Sequence, residues 1–173
     1  MIPHRLWMER ISDMKSTVIA VFAVSILVAV SATAQAPRFN RETPRAGQPV
    51  VVDSRTGLMW QGCARGQSGD TCGGTSAASG WQAAVSYCEG LDWAGHTDWR
   101  LPSSDELRGI VDRNHEKPAI DTAVFPGTES RWFWTSSVYT SNPAIAWGVF
   151  FHNGSASLVD RKIQFLARCV RGK

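Results

Sequence analysis

Residues 98–107 read Asp-Trp-Arg-Leu-Pro-Ser-Ser-Asp-Glu-Leu and set an extended segment directly against the start of a helix. Pro102 disfavours helical backbone at the residue before it, so the chain up to that point is extended. Ser103 can cap the helix that follows, and Glu106 three residues later can complete a capping box. Leu107 begins a run of apolar residues at helical spacing. The stretch therefore predicts an architectural corner between two layers of one core.

Predicted helices and strands flank this corner. Its helix runs to about residue 112, and a long irregular stretch, 113–129, follows. Before the corner, the clearest helix of the sequence covers about residues 81–91, with Ser79 as its expected cap. Short apolar or alternating runs, with glycines 57 and 154 in turns, predict strands at 50–52, 58–60, 132–137, 146–151, 155–159 and 166–170. The fold class is α+β, with two helices packed on a mostly antiparallel sheet and long irregular loops.

The N-terminal segment has the pattern of a secretory signal peptide. Lys15 precedes the apolar run 18–30, and Ala32-Thr33-Ala34 gives a small-x-small cleavage site. The run is shorter than the roughly 20 residues that a bilayer span needs, although an uncleaved anchor is the alternative reading. Translation could start at Met1 or Met14. We expect a signal peptide at 1–34, a polar, proline-interrupted linker at 35–49 and the folded domain at 50–173.

Composition limits the classes of partner. The chain has 18 Lys and Arg against 15 Asp and Glu, a net charge of +3. So mild an excess predicts no nucleic-acid surface, but it permits weak attraction to anionic polymers. Of the 8 tryptophans, all but Trp7 follow the leader. Large rigid aromatic side chains in such density suit either a core with little regular structure or a contact surface.

The four cysteines are Cys63, Cys72, Cys88 and Cys169. Export to an oxidising compartment and an even count favour disulfides, and three pairings are possible. We favour Cys63–Cys72, which closes a glycine-rich surface loop over 61–80, and Cys88–Cys169, which ties a helix to the last strand. The second pairing closes a loop of about 80 residues, worth about 4 kcal/mol in the chain-entropy model. Zinc is a poor alternative, since no CxxC pair or histidine cluster accompanies the cysteines.

Six blocks of sequence, in this order, resemble a known family. They are Thr56-Gly57-Leu58-Met59-Trp60, Tyr87-Cys88, Trp99-Arg100-Leu101-Pro102 with Glu106-Leu107, Phe133-Trp134-Thr135-Ser136-Ser137, Ala146-Trp147 and Arg168-Cys169-Val170-Arg171. Together they look like the Lcl C-terminal domain family, a domain of unknown function, over about residues 53–171. Any one block alone would be a weak signal.

The resemblance implies a C-type-lectin-like fold, related to that of formylglycine-generating enzymes. In that fold a disulfide commonly joins the first helix to the last strand, which agrees with the Cys88–Cys169 pairing. The family's named member is a bacterial surface adhesin whose C-terminal domain is associated with sulfated polysaccharide binding. Its collagen-like repeats have no counterpart here, because the sequence contains no Gly-X-Y run. The adhesin role and the trimeric stalk therefore do not transfer.

Motifs for catalysis and cofactors are incomplete. The sequence has no G-x-S-x-G elbow, and His115-Glu116 lacks the second histidine of a metalloprotease helix. Cysteine oxidation of the kind known in the related enzymes needs free thiols, and four bridged cysteines leave none. For a lectin-type calcium site the sequence offers only Ser141-Asn142-Pro143, with no adjacent carboxylate. We expect no enzyme activity, no cofactor and no metal.

The candidate ligand-binding residues lie in the β-rich C-terminal half. Three tryptophans could line a groove that stacks on sugar rings, although an aromatic core is the alternative. Three basic residues near sheet turns could contact sulfate or carboxylate groups, although solvated surface charge explains them equally well. An asparagine adds a polar group at one end of the sheet. The set is Arg131, Trp132, Trp134, Trp147, Asn153, Arg161 and Lys162.

The sequence thus predicts an exported, non-catalytic binding domain for glycans or other extracytoplasmic polymers, periplasmic or secreted. Its expected partner is an anionic or neutral glycan or an envelope protein, with no nucleic acid and no stable membrane span after signal cleavage. One alternative is a structural or protein-interaction module of the cell envelope. A second is an enzyme of the formylglycine-generating-enzyme-like fold.

Overall fold

The computed structural model describes residues 36–172. The expected signal peptide, residues 1–34, lies outside the described residues. The described part is an α+β domain with two helices, two antiparallel sheets and two disulfides. None of the helices in residues 36–172 is both long and apolar enough to cross a membrane. In chain order the elements are β1 Phe39–Arg45, β2 Gln48–Asp53, β3 Met59–Gln61, α1 Trp81–Glu89, α2 Ser104–Gly109, β4 Trp132–Val138, β5 Ile145–Phe150, β6 Ser155–Asp160 and β7 Val170–Arg171.

Strand β1 corrects the expected linker at 35–49. It pairs antiparallel with β2, with Arg41 opposite Val51, and forms one edge of the four-stranded sheet β1-β2-β3-β7. Most of its side chains are exposed, so it lacks the apolar alternation by which strands are predicted. The register shifts near Pro44, which an edge strand tolerates because the proline has no N–H to donate. Backbone pairing, rather than side-chain burial, makes this segment a strand.

The C-terminal strands form two sheets rather than one. Strands β4, β5 and β6 make a three-stranded antiparallel sheet. The predicted strand at 166–170 was expected to close this sheet, but the segment is shared: Leu166 bridges Phe133 of β4, whereas β7 pairs with β3. Residues of this one segment therefore contact both sheets. Its pairing partners are far away in sequence, so local patterning does not reveal the split.

Helix α1 confirms the predicted helix, but its cap is different. Gly80 occupies the N-cap position without a side-chain hydrogen bond. Ser79, the expected cap, instead exchanges two backbone hydrogen bonds with Phe165, at 2.9 and 3.0 Å. The helix starts where the Trp81 N–H donates to the Arg161 carbonyl oxygen, 2.9 Å away. A tertiary contact thus replaces the local cap.

The corner predicted at residues 98–107 links the two sheets. The Arg100 backbone bridges Val170 of β7, and the Ser136 N–H of β4 donates to the Pro102 carbonyl oxygen at 2.7 Å. Ser103 and Glu106 form the predicted capping box at the start of α2. The helix ends at Gly109, three residues earlier than expected. The corner therefore places a short helix against both layers.

Both favoured disulfides are present, Cys63–Cys72 and Cys88–Cys169. All four cysteine side chains are buried. The loop at 61–80 is consequently less superficial than expected, because its bridged cysteines pack into the core around Trp99 and Trp134. A second buried cluster lies around Trp60, Leu107, Phe125, Phe133 and Phe151.

Candidate functional site

The three candidate tryptophans do not share one groove. Trp134 is fully buried, and its Nε1 donates to the Ser79 carbonyl oxygen at 2.8 Å. It is opposite Gly148 in the β4–β5 ladder. Trp147 immediately precedes Gly148 in β5, so its side chain points to the opposite face of the sheet. Trp134 and Trp147 therefore lie on opposite faces of the sheet, and Trp134 belongs to the aromatic core.

Trp132 is half-buried and its ring is already in contact with other aromatic rings. It stacks nearly parallel on Phe150 and Phe165, at centroid distances of 4.8 and 5.4 Å. Phe165 fits there because Gly148 has no side chain: a Cβ at that position would lie 2.8 Å from the Phe165 ring. The stack holds the segment that begins at Phe165 against β4 and β5, which is a structural role.

The predicted polar residues are also separated by their contacts. The Arg161 guanidinium lies 3.3 Å from the centre of the Trp81 ring, and its Nη1 donates to the Pro143 carbonyl oxygen at 2.6 Å. Arg131 is exposed and pairs with Glu129 at 3.3 Å. The Asn153 side chain accepts from the Ser155 N–H within its own turn. Lys162 is exposed. Arg131, Asn153 and Arg161 thus each have contacts of their own, and none of these contacts joins two of the predicted residues.

A different region collects positive charge in a concave surface. A cleft of about 500 Å³ lies between the start of β1, the β2–β3 turn, the end of α2 and the β5–β6 turn. We call it the arginine cleft. Four arginines and a single carboxylate are among its lining residues, which are Arg38, Arg55, Asp105, Arg108, Gly109, Val111, Arg113 and Gly154.

Arg38 is held rigidly at this cleft by a buried carboxylate. Its Nε and Nη2 donate to the two oxygens of Asp53 at 3.0 and 2.6 Å, and Nη2 also donates to the Gly109 carbonyl oxygen at 3.0 Å. Burial alone would raise the pKa of Asp53, but hydrogen bonds from Arg38 and from the Arg55 N–H hold this pKa below its ordinary value. The ionised Asp53 thus orients the Arg38 guanidinium, and it also holds the β2–β3 turn that carries Arg55.

The other three arginines keep most of their donors available. Arg55 and Arg113 are exposed, and neither side chain has a hydrogen bond or ion pair to any of the residues 36–172. Arg108 has only a 3.7 Å contact with the exposed Asp105, one helical turn away. A guanidinium presents several donors in a fixed plane and does not lose its charge near neutral pH. The cleft can therefore bind oxyanions by charge-assisted hydrogen bonds, and it lacks a built-in acid–base pair.

Gly154 lines the arginine cleft and lies against Val111. Its φ is +76°, and a Cβ there would lie 2.4 Å from Cγ1 of Val111. The β5–β6 turn can therefore approach the end of α2 closely only with glycine at this position. The turn was predicted from Asn153-Gly154, but the contact with Val111 depends on tertiary structure.

Sequence reasoning missed the arginine cleft. Arg108 and Arg113 flank the end of a predicted helix, where cations are favourable, and this local signal was available. Arg38 was assigned to a linker, and Arg55 to a hairpin turn with no expected neighbour. Only the pairing of β1 with β2 brings these two residues together.

Comparison with known proteins identifies the family of this chain. A search of curated proteins found no match to this chain. The family model of the Lcl C-terminal domain matches residues 49–171, which run from the second residue of β2 to the end of β7 and include all but one arginine of the arginine cleft. Because the match extends over most of the sequence, the chain belongs to the Lcl C-terminal domain family.

Proposed function

We propose that this protein is an exported, non-catalytic domain that binds an anionic polymer outside the cytoplasm through the arginine cleft. The observation that carries the proposal is the convergence of four guanidiniums from three chain segments on one concave surface. Three of them keep donors free of the described residues, while Asp53 orients the fourth. Repeated oxyanions along a polymer could occupy several of these positions at once.

The charge distribution supports binding at this cleft rather than over the whole surface. The net charge is only +3, so long-range attraction to an anionic polymer is weak. Asp53 neutralises Arg38, so the other three guanidiniums of the cleft face the single carboxylate of Asp105. Local enrichment of guanidiniums in a concavity raises the potential there more than net charge indicates. A sulfated polysaccharide, the ligand class implied by the family's named member, fits this chemistry.

The two disulfides support an oxidising, extracytoplasmic location. The pairing of Cys88 on α1 with Cys169 beside β7 also supports a C-type-lectin-like fold, in which such a bridge is common. We include this fold in the proposal, together with periplasmic or secreted localisation after cleavage of the leader.

The absence of catalysis is likewise part of the proposal. All four cysteines are bridged, so the protein has no free thiol with which to catalyse cysteine oxidation. A serine–histidine contact exists, since Ser130 Oγ lies 3.1 Å from Nδ1 of His152. In the described part of the chain no carboxylate hydrogen-bonds to this histidine, whose ring stacks on Phe150 at 5.3 Å. A general base for a serine nucleophile is thus poorly supported.

The direct test is binding of a heparin-type sulfated oligosaccharide to paired variants. We expect Arg55→Ala/Arg113→Ala to weaken binding about tenfold, since each substitution removes charge-assisted hydrogen bonds. The matched control is Arg131→Ala/Lys162→Ala, which removes the same charge outside the cleft and should change the affinity less than twofold. Equal losses in both variants would show nonspecific charge attraction and would reject the cleft as the site.

A protein-interaction role is the second candidate. It is favoured by exposed apolar side chains on the three-stranded sheet and the loops beside it, namely Val138, Tyr139, Leu158 and Ile163, which are 36–47% exposed. If an envelope protein binds there, Leu158→Lys should abolish its binding while leaving oligosaccharide binding intact.

A further inference from the structure

Strand β6 forms an open edge of the three-stranded sheet. It pairs antiparallel with β5 on one side, and no strand in the described part of the chain pairs with it on the other. The opposite edge of the sheet is partly covered, because the segment after β6 bonds to the outer side of β4. There the Leu166 N–H donates to the Trp132 carbonyl oxygen, and the Trp134 N–H donates to the Leu166 carbonyl oxygen, each at 2.9 Å.

The free backbone groups of the β6 edge follow from its pairing with β5. Hydrogen bonds alternate along an antiparallel ladder, and the Arg161 N–H donates to the Ala144 carbonyl oxygen at 3.0 Å, which fixes the phase. The odd-numbered residues of β6 are therefore bonded to β5. The N–H and C=O groups of Ala156 and Leu158 point away from β5, and no other hydrogen bond among the described residues uses them.

This edge also lacks the features that keep exposed strands from pairing, which are charged side chains, proline and an irregular register. Strand β1, an edge of the other sheet, has all three of them, with Arg41, Glu42, Pro44 and a register shift. Residues 155–159 of β6 read Ser-Ala-Ser-Leu-Val, without charge or proline, and their register with β5 is unbroken. The β6 edge is therefore suited to pairing with another strand.

The geometry of β6 suits a second copy of the same strand. If two copies pair antiparallel about a two-fold axis at Ser157, Ala156 of each copy lies opposite Leu158 of the other. This register engages every free N–H and C=O group of these two residues. An axis at Leu158 would instead need the Asp160 carbonyl oxygen, which already accepts from the Ile163 N–H at 3.0 Å.

The same register matches apolar and charged side chains. Leu158, which is 36% exposed and opposite Trp147 in its own sheet, gains the small Ala156 of the second copy as a neighbour. At each end of the paired strands, Asp160 of one copy comes beside Gly154 of the other, and Gly154 lines the arginine cleft. A carboxylate thus meets a region of positive charge, so the charges of the two copies are complementary.

We propose that the β6 edge is a homodimer interface, at which two copies join their three-stranded sheets into one continuous antiparallel sheet. The strand has 6 residues and is about 20 Å long. Such an edge buries less area than a stable dimer usually needs, so the dimer is weak and forms at micromolar to millimolar concentrations. A two-fold interface uses the same patch on both copies, so association stops at two. This inference does not depend on anion binding in the arginine cleft.

The test is sedimentation equilibrium of the disulfide-bonded protein at micromolar to millimolar concentrations, which should show a monomer–dimer equilibrium. Ser157→Lys should weaken dimerisation about tenfold or more, because like charges then face each other at the axis. Ser157→Glu should do the same, and an equal mixture of the two variants should restore the dimer. The matched control is Ser136→Lys, at an exposed serine of β4, which should change dimerisation by no more than about twofold.

Amide hydrogen exchange tests the same interface in the wild-type protein. The Ala156 and Leu158 amides should become protected as the protein concentration rises, whereas the Ser157 and Val159 amides, already bonded to β5, should change little. A protein that stays monomeric throughout the concentration range overturns the proposal. A dimer that leaves the Ala156 and Leu158 amides unprotected, or that Ser157→Lys does not weaken, uses a different surface and also overturns it. If the mixture of the two Ser157 variants stays monomeric, the axis does not lie at Ser157 and the proposed pairing is wrong.

Discussion

At the scale of single residues, the arginine cleft depends on two positions whose chemistry is unusual. Asp53 is 1% exposed yet ionised, and it orients Arg38 through two hydrogen bonds. Gly154 has a left-handed backbone and lies against Val111. The sequence indicated a turn at Gly154, but it gave no sign of the Asp53–Arg38 pair, because Arg38 lies beyond the predicted domain boundary.

The ion pair between Asp53 and Arg38 should make the free energy of unfolding depend on pH in the acid range. Its pKa is lower in the folded protein, so it stabilises the fold above the pKa of the unfolded chain, near 4, and this contribution is lost as pH falls through the folded value. We expect urea unfolding to show declining stability from about pH 5 to pH 2. Asp53→Asn should flatten this decline and cost about 1–3 kcal/mol at neutral pH. An unchanged pH profile in the variant would contradict the pairing.

Gly154→Ala should destabilise the protein by about 2–3 kcal/mol, through backbone strain and the clash with Val111. Gly57→Ala is the control, since its φ is +73° but no atom lies within 4 Å of a Cβ there. It should cost only the backbone strain, about 1 kcal/mol. Thermal unfolding measures the loss of stability in both variants. The excess cost at Gly154 should shrink in a Val111→Ala background, and an undiminished excess would argue against the close contact.

At the scale of elements, local sequence signals predicted the helices and most strands. The capping box of α2 is encoded by Ser103 and Glu106, and the hairpins by their glycines. The missed element is β1, whose polar side chains lie on an exposed sheet edge. Its strand conformation comes from pairing with β2, and no periodicity in its own residues predicts that pairing.

The capping box can be tested by removing its hydroxyl. Ser103 Oγ accepts from the Glu106 N–H at 3.2 Å, and the Glu106 carboxylate accepts from the Ser103 N–H at 2.7 Å. We expect Ser103→Ala to reduce the free energy of unfolding by about 1 kcal/mol. Ser104→Ala, at the first helical position, should be within about 0.5 kcal/mol of wild type. Chemical denaturation measures the free energy of unfolding of both variants. If Ser103→Ala lowers it no more than Ser104→Ala does, the cap contributes little.

At the scale of the whole molecule, the corner at 98–107 and the segment from Phe165 to Val170 tie two sheets together. The Cys88–Cys169 disulfide holds α1 to this segment. The sequence predicted the disulfide, but it predicted one sheet instead of two. Which sheet a short strand joins depends on packing between distant segments, as Leu166 and Val170 illustrate. The arginine cleft could not be predicted for the same reason, since its members meet only in the folded chain.

The two disulfides should differ in their contributions to stability. Cys88 and Cys169 are 81 residues apart in sequence, whereas Cys63 and Cys72 are 9 apart. In the chain-entropy model the longer loop is worth about 4 kcal/mol and the shorter one about 2–3 kcal/mol. We expect Cys88→Ala/Cys169→Ala to lower Tm more than Cys63→Ala/Cys72→Ala does. The reverse order would mean that packing at the 61–80 loop outweighs chain entropy.

The proposed function requires that anions bind in the arginine cleft. An NMR titration that follows the arginine Nε–Hε signals with a sulfated oligosaccharide tests it most directly. We predict saturating shifts at Arg38, Arg55, Arg108 and Arg113, with one common Kd and little change at Arg131 and Arg161. If the largest shifts occur at Arg131 and Arg161 and none occurs in the cleft, the proposal that anions bind in the arginine cleft is wrong.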